Sequence, residues 1–94
     1  MRTYYVIAYD IRDDRRRLRM ARCLAAYGQR VQYSVFEAYL SRSDFLTLLY
    51  EIREIMDAEE DRVAIYPLYE PCRQRITRLG QQGELAVDED VWIV

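Results

Sequence analysis

The spacing of hydrophobic residues changes along the chain, and each change marks the start of a new secondary-structure element. Residues 3–10 are almost all β-branched, aromatic or small and apolar, which is typical of a central β-strand covered on at least one face. Strand alternation places Tyr5, Ile7 and Tyr9 on one face and Asp10 on the other. Because Asp10 ends the strand, we expect its carboxylate at a rim of the sheet.

Two later segments have the three- and four-residue spacing of amphipathic helices. The first helix begins after a capping aspartate at position 13 or 14 and ends at Gly28, since glycine often follows the last turn of a helix. The second helix begins at Ser41 or Ser43. Its apolar positions are Phe45, Leu48, Leu49, Ile52, Ile55 and Met56.

The remaining strand-like segments complete the predicted order of secondary-structure elements. Residues 30–40 have strand character but are too many for one average strand, so we expect a bend at Ser34 and a strand on each side of it. Residues 62–68 form another strand, which ends near Pro67. The order strand, helix, strand, strand, helix, strand predicts a ferredoxin-like βαββαβ fold of the α+β class, with both helices on one face of an antiparallel sheet.

The C-terminal part of the chain is less regular. Residues 71–75 are predicted to form a short helical turn and residues 75–79 a weak strand. We assign residues 1–80 to the ferredoxin-like domain and residues 81–94 to a linker and a terminal strand of the same domain. The apolar residues 91–94 are costly to leave in water, so we expect them to dock on a sheet edge, plausibly that of a second copy of the chain.

The composition excludes several kinds of site. The chain has no histidine and no lysine, and all fourteen basic residues are arginine, which excludes histidine triads, Schiff-base lysines and P-loop lysines. Cys23 and Cys72 are too few for a disulfide scaffold and are not spaced like zinc ligands. No apolar run approaches the roughly 20 residues that cross a bilayer, and we expect no signal peptide before the first strand. We therefore expect a cytoplasmic domain without membrane contact.

Charge is distributed unevenly along the chain. The formal net charge is −2, but residues 1–36 carry eight arginines and three aspartates, a balance of +5. Residues 37–94 carry six arginines and thirteen acids, a balance of −7. A basic front half on an acidic domain indicates a local anion-binding face, although solvated helix charge explains the count equally well.

Five arginines fall within an arc of about 120° on the wheel of the first helix. They are Arg12, Arg15, Arg16, Arg19 and Arg22. The opposite arc contains Leu18, Ala21, Leu24 and Ala25. A row of arginines, here the arginine stripe, can bind the phosphates of nucleic acid through charge-assisted hydrogen bonds. The alternative interpretation of the pattern is an ordinary solvent-exposed helix face. Arg17 lies near the apolar border, where a snorkelling side chain and a functional one are both compatible with the pattern.

Asp10 is the candidate metal ligand. Asp13 and Asp14 are better placed to cap the helix, which leaves the Asp10 carboxylate without an evident structural role. One carboxylate does not hold Mg²⁺ well without waters or a second ligand, but a two-fold axis near Asp10 would supply a second one. A metal site at Asp10 therefore makes chemical sense mainly in a dimer.

Several segments together resemble one known family. They are Tyr-Val-Ile-Ala-Tyr-Asp-Ile at 5–11, the arginine-rich helix after it, Arg-Val-Gln-Tyr-Ser-Val-Phe-Glu at 30–37, Val-Ala-Ile-Tyr-Pro-Leu at 63–68 and Cys-Arg-Gln-Arg-Ile at 72–76. In this order they resemble the CRISPR-associated Cas2 family, the small partner of the Cas1 integrase in spacer acquisition. The likeness covers essentially the whole chain.

The resemblance implies a homodimer in which the C-terminal strand of one copy completes the sheet of the other. It also implies that Asp10 faces its dimer mate and binds Mg²⁺ or Mn²⁺, and that the activity is metal-dependent cleavage of RNA or double-stranded DNA. The site neighbourhood of the family maps onto Tyr9, Arg17, Arg19, Arg30 and Phe36 of this chain. The acidic segment 84–90 departs from the family pattern.

Two functions from different classes follow. In the first, the protein is a metal-dependent endonuclease in which two Asp10 carboxylates hold one cation and arginines hold the flanking phosphates. In the second, the dimer is a non-catalytic adaptor that bridges Cas1 integrase subunits and DNA, without hydrolysis. A small-molecule sensor is a third class that this fold can host, but the sequence has no Gly-rich or polar pocket motif to favour it.

Overall fold

The computed structural model describes residues 1–80 of the 94-residue chain. Its elements are β1 (Arg2–Asp10), α1 (Asp14–Ala25), β2 (Gln29–Gln32), β3 (Val35–Ser41), α2 (Arg42–Ile55), β4 (Arg62–Leu68) and α3 (Glu70–Arg73). The four strands form one antiparallel sheet in the order β2-β3-β1-β4. This arrangement confirms the predicted α+β, ferredoxin-like fold. No helix in residues 1–80 has the length and apolar character needed to cross a membrane.

Both long helices begin where the sequence places a capping side chain. The Asp13 carboxylate accepts a hydrogen bond from the Arg16 backbone N–H at 2.9 Å, and the Ser41 hydroxyl accepts one from the Asp44 N–H at 3.2 Å. Each side chain satisfies a backbone donor that the first helical turn leaves unpaired. The two caps fix where each helix leaves the sheet.

The hydrophobic core lies between one face of the sheet and the two helices. Ile7 and Tyr9 of β1 and Phe36 of β3 are buried on this face, as the alternation of β1 predicts. Tyr5, on the same face, stacks on Phe45 of α2 with ring centroids 4.4 Å apart. The other face of the sheet, which we call the open face, carries the even-numbered residues of β1 and ends at Asp10.

The predicted orientation of α1 is wrong by about a quarter turn of the helix. Leu18 is 51% exposed and Ala25 is exposed, although both were assigned to the apolar arc. The buried residues are Met20 and Leu24, which pack against the core. Met20 is larger than the alanines of the predicted arc and buries more apolar surface, so it determines which side of the helix faces the sheet.

The tip of the β2–β3 hairpin is irregular. The turn falls at Tyr33 and Ser34, which confirms the bend predicted at Ser34, and the pairing shifts between Arg30 and Gln32. The Ser34 carbonyl accepts a hydrogen bond from the Tyr9 N–H at 3.1 Å. The hairpin tip is thereby attached to the end of β1, next to Asp10.

Gly28 lies where β2 approaches β3 closely. A Cβ atom at this position would be 2.1 Å from the Glu37 carbonyl oxygen and 2.7 Å from the Ala38 Cβ. No side chain fits in that gap, so glycine is required by packing. The predicted helix end at Gly28 is wrong by two residues, because α1 ends at Ala25 and Ala26 is its C-cap.

The end of the described chain differs from the prediction. The short helix spans Glu70–Arg73, and the predicted strand at 75–79 is not formed. This part of the chain contacts the open face through Arg73, over the Tyr4 ring, and Arg78, which donates to Glu37. The predicted linker and terminal strand at 81–94 lie outside the described residues, and their docking stays a prediction.

Candidate functional site

Asp10 lies at the rim of the sheet, where the sequence places it. It is the last residue of β1, it is exposed, and it pairs in register with Arg62, the first residue of β4. Among the described residues, the Asp10 carboxylate has no ion pair or hydrogen bond to another side chain. An unpaired carboxylate at a strand end is free to bind a cation or to face a second molecule.

Whether Asp10 can hold a metal ion depends on which other metal-binding side chains lie near it. A carboxylate is the hard oxygen ligand that Mg²⁺ and Mn²⁺ take. Within residues 1–80, however, no three acidic or cysteine side chains are grouped closely enough to hold a metal. One chain therefore supplies at most half of a site, and the residues fit a divalent ion only where two copies bring their Asp10 side chains together.

Tyr9 and Phe36 lie on the helix-covered face of the sheet. They are only 4% and 2% exposed, and their ring centroids are 6.3 Å apart. Asp10 lies on the open face, because successive side chains of a strand alternate between faces. The mapped site residues are therefore divided by the sheet, and the two rings do not reach a substrate at Asp10.

Arg30 joins this aromatic group. Its guanidinium carbon is 5.7 Å from the Phe36 ring centroid and 5.8 Å from that of Tyr33. The Arg30 Nε is buried without a hydrogen-bond partner among the described residues. Cation–π contacts hold the guanidinium in place, and they fix the side of the hairpin tip that carries Tyr33.

Arg17 connects α1 to the loop that follows Asp10. Its guanidinium donates to the Ile11 carbonyl at 2.9 Å and forms an ion pair with Asp14. The Asp14 carboxylate raises the pKa of Arg17. Arg17 therefore has a role that the helical wheel did not assign: it ties the backbone after Asp10 to the first turn of α1.

The arginine stripe of α1 divides into two groups. Four of its members are exposed and have no ion pair with any described residue. They are Arg12, Arg15, Arg19 and Arg22. Arg16 differs, because its Nε donates to the Asp61 carboxylate at 2.8 Å and a terminal nitrogen contacts Glu60 at 3.3 Å. Arg16 is thus committed to a structural ion pair and is the least available of the five for phosphates.

Asp61 is a structural residue that the sequence gives no sign of. Its side chain is fully buried, and it accepts hydrogen bonds from Arg16 and from the Asp57 N–H at 2.9 Å. The Arg16 guanidinium lowers the pKa of Asp61, and the Asp57 backbone contributes. The pair fastens the start of α1 to the loop before β4, so it fixes the two segments that border Asp10.

A second ionic group, the Glu37 cluster, covers the opposite end of the open face. It consists of Tyr4, Glu37, Tyr39, Arg73 and Arg78. Glu37 is 8% exposed and accepts a hydrogen bond from the Tyr4 hydroxyl at 2.5 Å. Arg78 donates to both carboxylate oxygens of Glu37, at 2.5 and 3.1 Å.

Cation–π contacts complete the Glu37 cluster. The Arg73 guanidinium carbon lies 4.5 Å from the Tyr4 ring centroid and 5.2 Å from that of Tyr39. Burial raises the pKa of Tyr4, and the hydrogen bond to Glu37 raises it further. The cluster attaches the segment after β4 to the sheet. The sequence offered no signal for it except that Arg73 lies within the family-like segment 72–76.

Cys23 is a packing residue, as its place in the middle of α1 indicates. Its thiol donates to a Glu51 carboxylate oxygen at 3.4 Å, and burial together with that carboxylate raises its pKa to about 11. A thiol with so high a pKa is a poor nucleophile near neutral pH.

Comparison with known protein families gives a match over most of the described chain. The family model described as CRISPR associated protein Cas2 matches residues 1–76. The chain is 46% identical over 90 residues to the CRISPR-associated endoribonuclease Cas2 4 of Rhodospirillum rubrum, which covers 96% of this chain and 72% of that protein.

Solved structures agree with this match. Cas2 of Streptococcus pyogenes superposes with a TM-score of 0.75 at 28% identity, covering 82% of this chain and 99% of that one. A chain of a partial Cas6–RT–Cas1–Cas2 complex superposes with a TM-score of 0.72 at 31% identity, covering 82% of this chain and 90% of that one.

Proposed function

The chain belongs to the CRISPR-associated protein Cas2 family, and we propose that it works in CRISPR adaptation as a metal-dependent endonuclease that cleaves RNA or double-stranded DNA. In this proposal it acts as a homodimer and binds nucleic acid together with Cas1. The observation that carries the proposal is the exposed Asp10 carboxylate at the end of β1, which no described residue neutralises. The endoribonuclease name of the Rhodospirillum rubrum relative supports the same chemistry.

Two copies of Asp10 would hold the divalent ion, Mg²⁺ or Mn²⁺. The chemistry that such an ion supplies when bound is neutralisation of charge on a phosphodiester oxygen and activation of water at neutral pH. The chain has no histidine or lysine to act as a general base, so the proposed site depends on its carboxylates. With one carboxylate from each copy, the active unit is the dimer.

The surrounding residues have two kinds of role in the proposal. The exposed arginines of α1, among them Arg19, bind backbone phosphates through charge-assisted hydrogen bonds. Arg17 positions the backbone next to Asp10 through its bonds to Ile11 and Asp14. Arg30, with the buried rings of Tyr9 and Phe36, holds the hairpin tip against the end of β1. Arg17, Arg30, Tyr9 and Phe36 are therefore positioning residues, since the rings of Tyr9 and Phe36 do not reach the rim of the sheet.

Replacement of Asp10 tests the proposal. We expect Asp10→Ala to lower Mg²⁺-dependent cleavage by at least about 100-fold while the molecular mass in solution remains that of a dimer. Cleavage of labelled single-stranded RNA and of double-stranded DNA is measured with Mg²⁺ and with EDTA. Glu54→Gln is the matched control, because Glu54 is an exposed acid on α2. Cleavage that survives in Asp10→Ala contradicts the nuclease assignment.

A second function is the non-catalytic adaptor, and one observation favours it. The described chain offers a single candidate carboxylate and no group of metal-binding side chains, which is a sparse basis for hydrolysis. A related chain has also been solved within a complex that includes Cas1. The same Asp10→Ala protein separates the two functions: Cas1-dependent insertion of DNA persists if the protein is an adaptor and is lost if insertion needs its cleavage.

A further inference from the structure

Arg62 lies beside Asp10 in the sheet. The two residues are register partners in the antiparallel β1–β4 ladder, so their side chains leave the same face, with Cβ atoms about 5 Å apart. Both residues are exposed. The open face therefore presents one carboxylate and one guanidinium next to each other at its rim.

The two charges do not neutralise each other. Neither Asp10 nor Arg62 forms an ion pair with any residue in 1–80, whereas oppositely charged cross-strand neighbours commonly pair. The acid next to Arg62 in sequence, Asp61, is already held by Arg16 at 2.8 Å. The Arg62 guanidinium is therefore an uncommitted cation beside the candidate cation-binding carboxylate.

We propose that Arg62 is a phosphate-binding residue of the site centred on Asp10. A carboxylate at the rim repels the phosphodiester backbone, and a guanidinium on the neighbouring strand offsets that repulsion. Arginine also forms forked hydrogen bonds to two phosphate oxygens, which fixes the backbone as well as attracting it. Arg62 contacts the phosphate next to the one that lies at Asp10. The inference rests on the proposed function, since it assumes that nucleic acid reaches Asp10.

Arg2 provides a matched control on the same face. It begins β1 at the other end of the strand, about 27 Å from Asp10 for eight residues of extended chain, and it is exposed. Replacement of either arginine by glutamine removes the same charge. A difference between the two variants therefore reports position and not net charge.

The experiment measures binding in the full-length Asp10→Ala protein, so that cleavage does not interfere. Arg62→Gln, Arg62→Lys and Arg2→Gln are each combined with it, and the probes are single-stranded RNA and double-stranded DNA of equal length. We expect Arg62→Gln to weaken binding about tenfold and to reduce the slope of log Kd against log salt by about one. Arg2→Gln leaves both unchanged, and Arg62→Lys keeps the slope. The probe that shows the larger effect identifies the nucleic acid.

Each other outcome has a defined meaning. If neither the wild-type protein nor the Asp10→Ala protein binds either probe, the proposed function fails and this inference fails with it. If only Asp10→Ala fails to bind, the arginine variants are compared in the wild-type background with Ca²⁺ in place of Mg²⁺, and equal binding by Arg62→Gln and Arg2→Gln there overturns the inference alone. If the Asp10→Ala protein binds, and Arg62→Gln behaves like Arg2→Gln, the inference alone is overturned. If Arg62→Gln lowers the melting temperature while the folded protein binds normally, Arg62 is a structural partner within the sheet and the inference is also overturned.

Discussion

The two ends of the open face differ in whether their charged side chains are paired. At one end, the buried carboxylate of Glu37 is held by Tyr4 and by two hydrogen bonds from Arg78. At the other end, Asp10 and Arg62 are neighbours in register, yet both remain exposed and unpaired within the described chain. Both ends combine a strand carboxylate with an arginine. The difference shows that the Glu37 cluster stabilises the fold, while the charges at Asp10 have no such role within residues 1–80 and belong to the proposed binding site.

The largest expected effect on stability comes from the Glu37 carboxylate. Glu37→Ala removes three hydrogen bonds to one buried carboxylate, and we expect a loss of about 3 kcal/mol in the free energy of unfolding. Asp10→Ala is the control on the same face, with an expected change below about 0.5 kcal/mol. Urea unfolding at pH 7 measures both. Equal losses in the two variants would remove the distinction between the two ends.

A smaller effect comes from the arginine side of the same cluster. Arg78→Ala leaves Glu37 with only its hydrogen bond from Tyr4, and we expect a loss of about 1–2 kcal/mol in the free energy of unfolding. Arg75→Ala is the control, because Arg75 lies in the same segment, is exposed and has no side-chain partner among residues 1–80. A spectroscopic titration of tyrosine gives a second measurement: since Arg78 lowers the pKa of Tyr4, its removal raises that pKa further.

The pH dependence of stability gives the smallest and most specific effect. The pKa of Tyr4 is raised above its usual value of 10.0 by burial, so its contribution is fully present below pH 10 and is lost as the pH rises through the raised value. The pKa of Asp61 is lowered below 3.8 by Arg16, so its contribution is present above about pH 4 and is lost as the pH falls through the lowered value. Thermal unfolding from pH 2 to pH 11 measures the loss of stability on both the acid and the alkaline side.

Variants measure how much Tyr4 and Asp61 each contribute to the pH dependence of stability. Tyr4→Phe should make the alkaline loss of stability smaller but not abolish it, because the pKa values of Cys23 and Tyr27 are also raised. Asp61→Asn should make the acid loss smaller and leave the alkaline loss intact. The Asp61→Asn result also tests the ion pair with Arg16 at 2.8 Å. An unchanged acid loss in that variant would show that other carboxylates control acid unfolding.

The sequence predicts the fold well because the fold depends on local patterns. The continuous apolar run before Asp10, the capping hydroxyl of Ser41 and the spacing of α2 all act within a few residues. The orientation of α1 is wrong because the wheel weights Leu18 and Ala25 and omits Met20, the residue that is fully buried. A helical wheel compares only the positions of one helix. Which side of the helix faces the sheet depends on which side chains pack best against the sheet surface.

The ionic groups could not be predicted from the sequence, since their members are far apart in it. Arg16 lies 45 residues from Asp61, and Arg78 lies 41 residues from Glu37. No local spacing marks such a pair, and Arg16 looks like any other member of a basic stripe. Asp10 could be selected because it ends a strand and other aspartates cap the helix. Its pairing with a second copy stays a prediction.

Gly28 has a consequence for how related sequences are interpreted. The gap between the backbone at this position and β3 is too narrow for even one methyl group, and Ala38 and the Glu37 carbonyl form its wall. A homologue with alanine or a larger residue here must displace its outer strand, and its hairpin arginine then occupies a different place from Arg30. This single position therefore separates relatives that share this sheet edge from relatives in which the outer strand has moved.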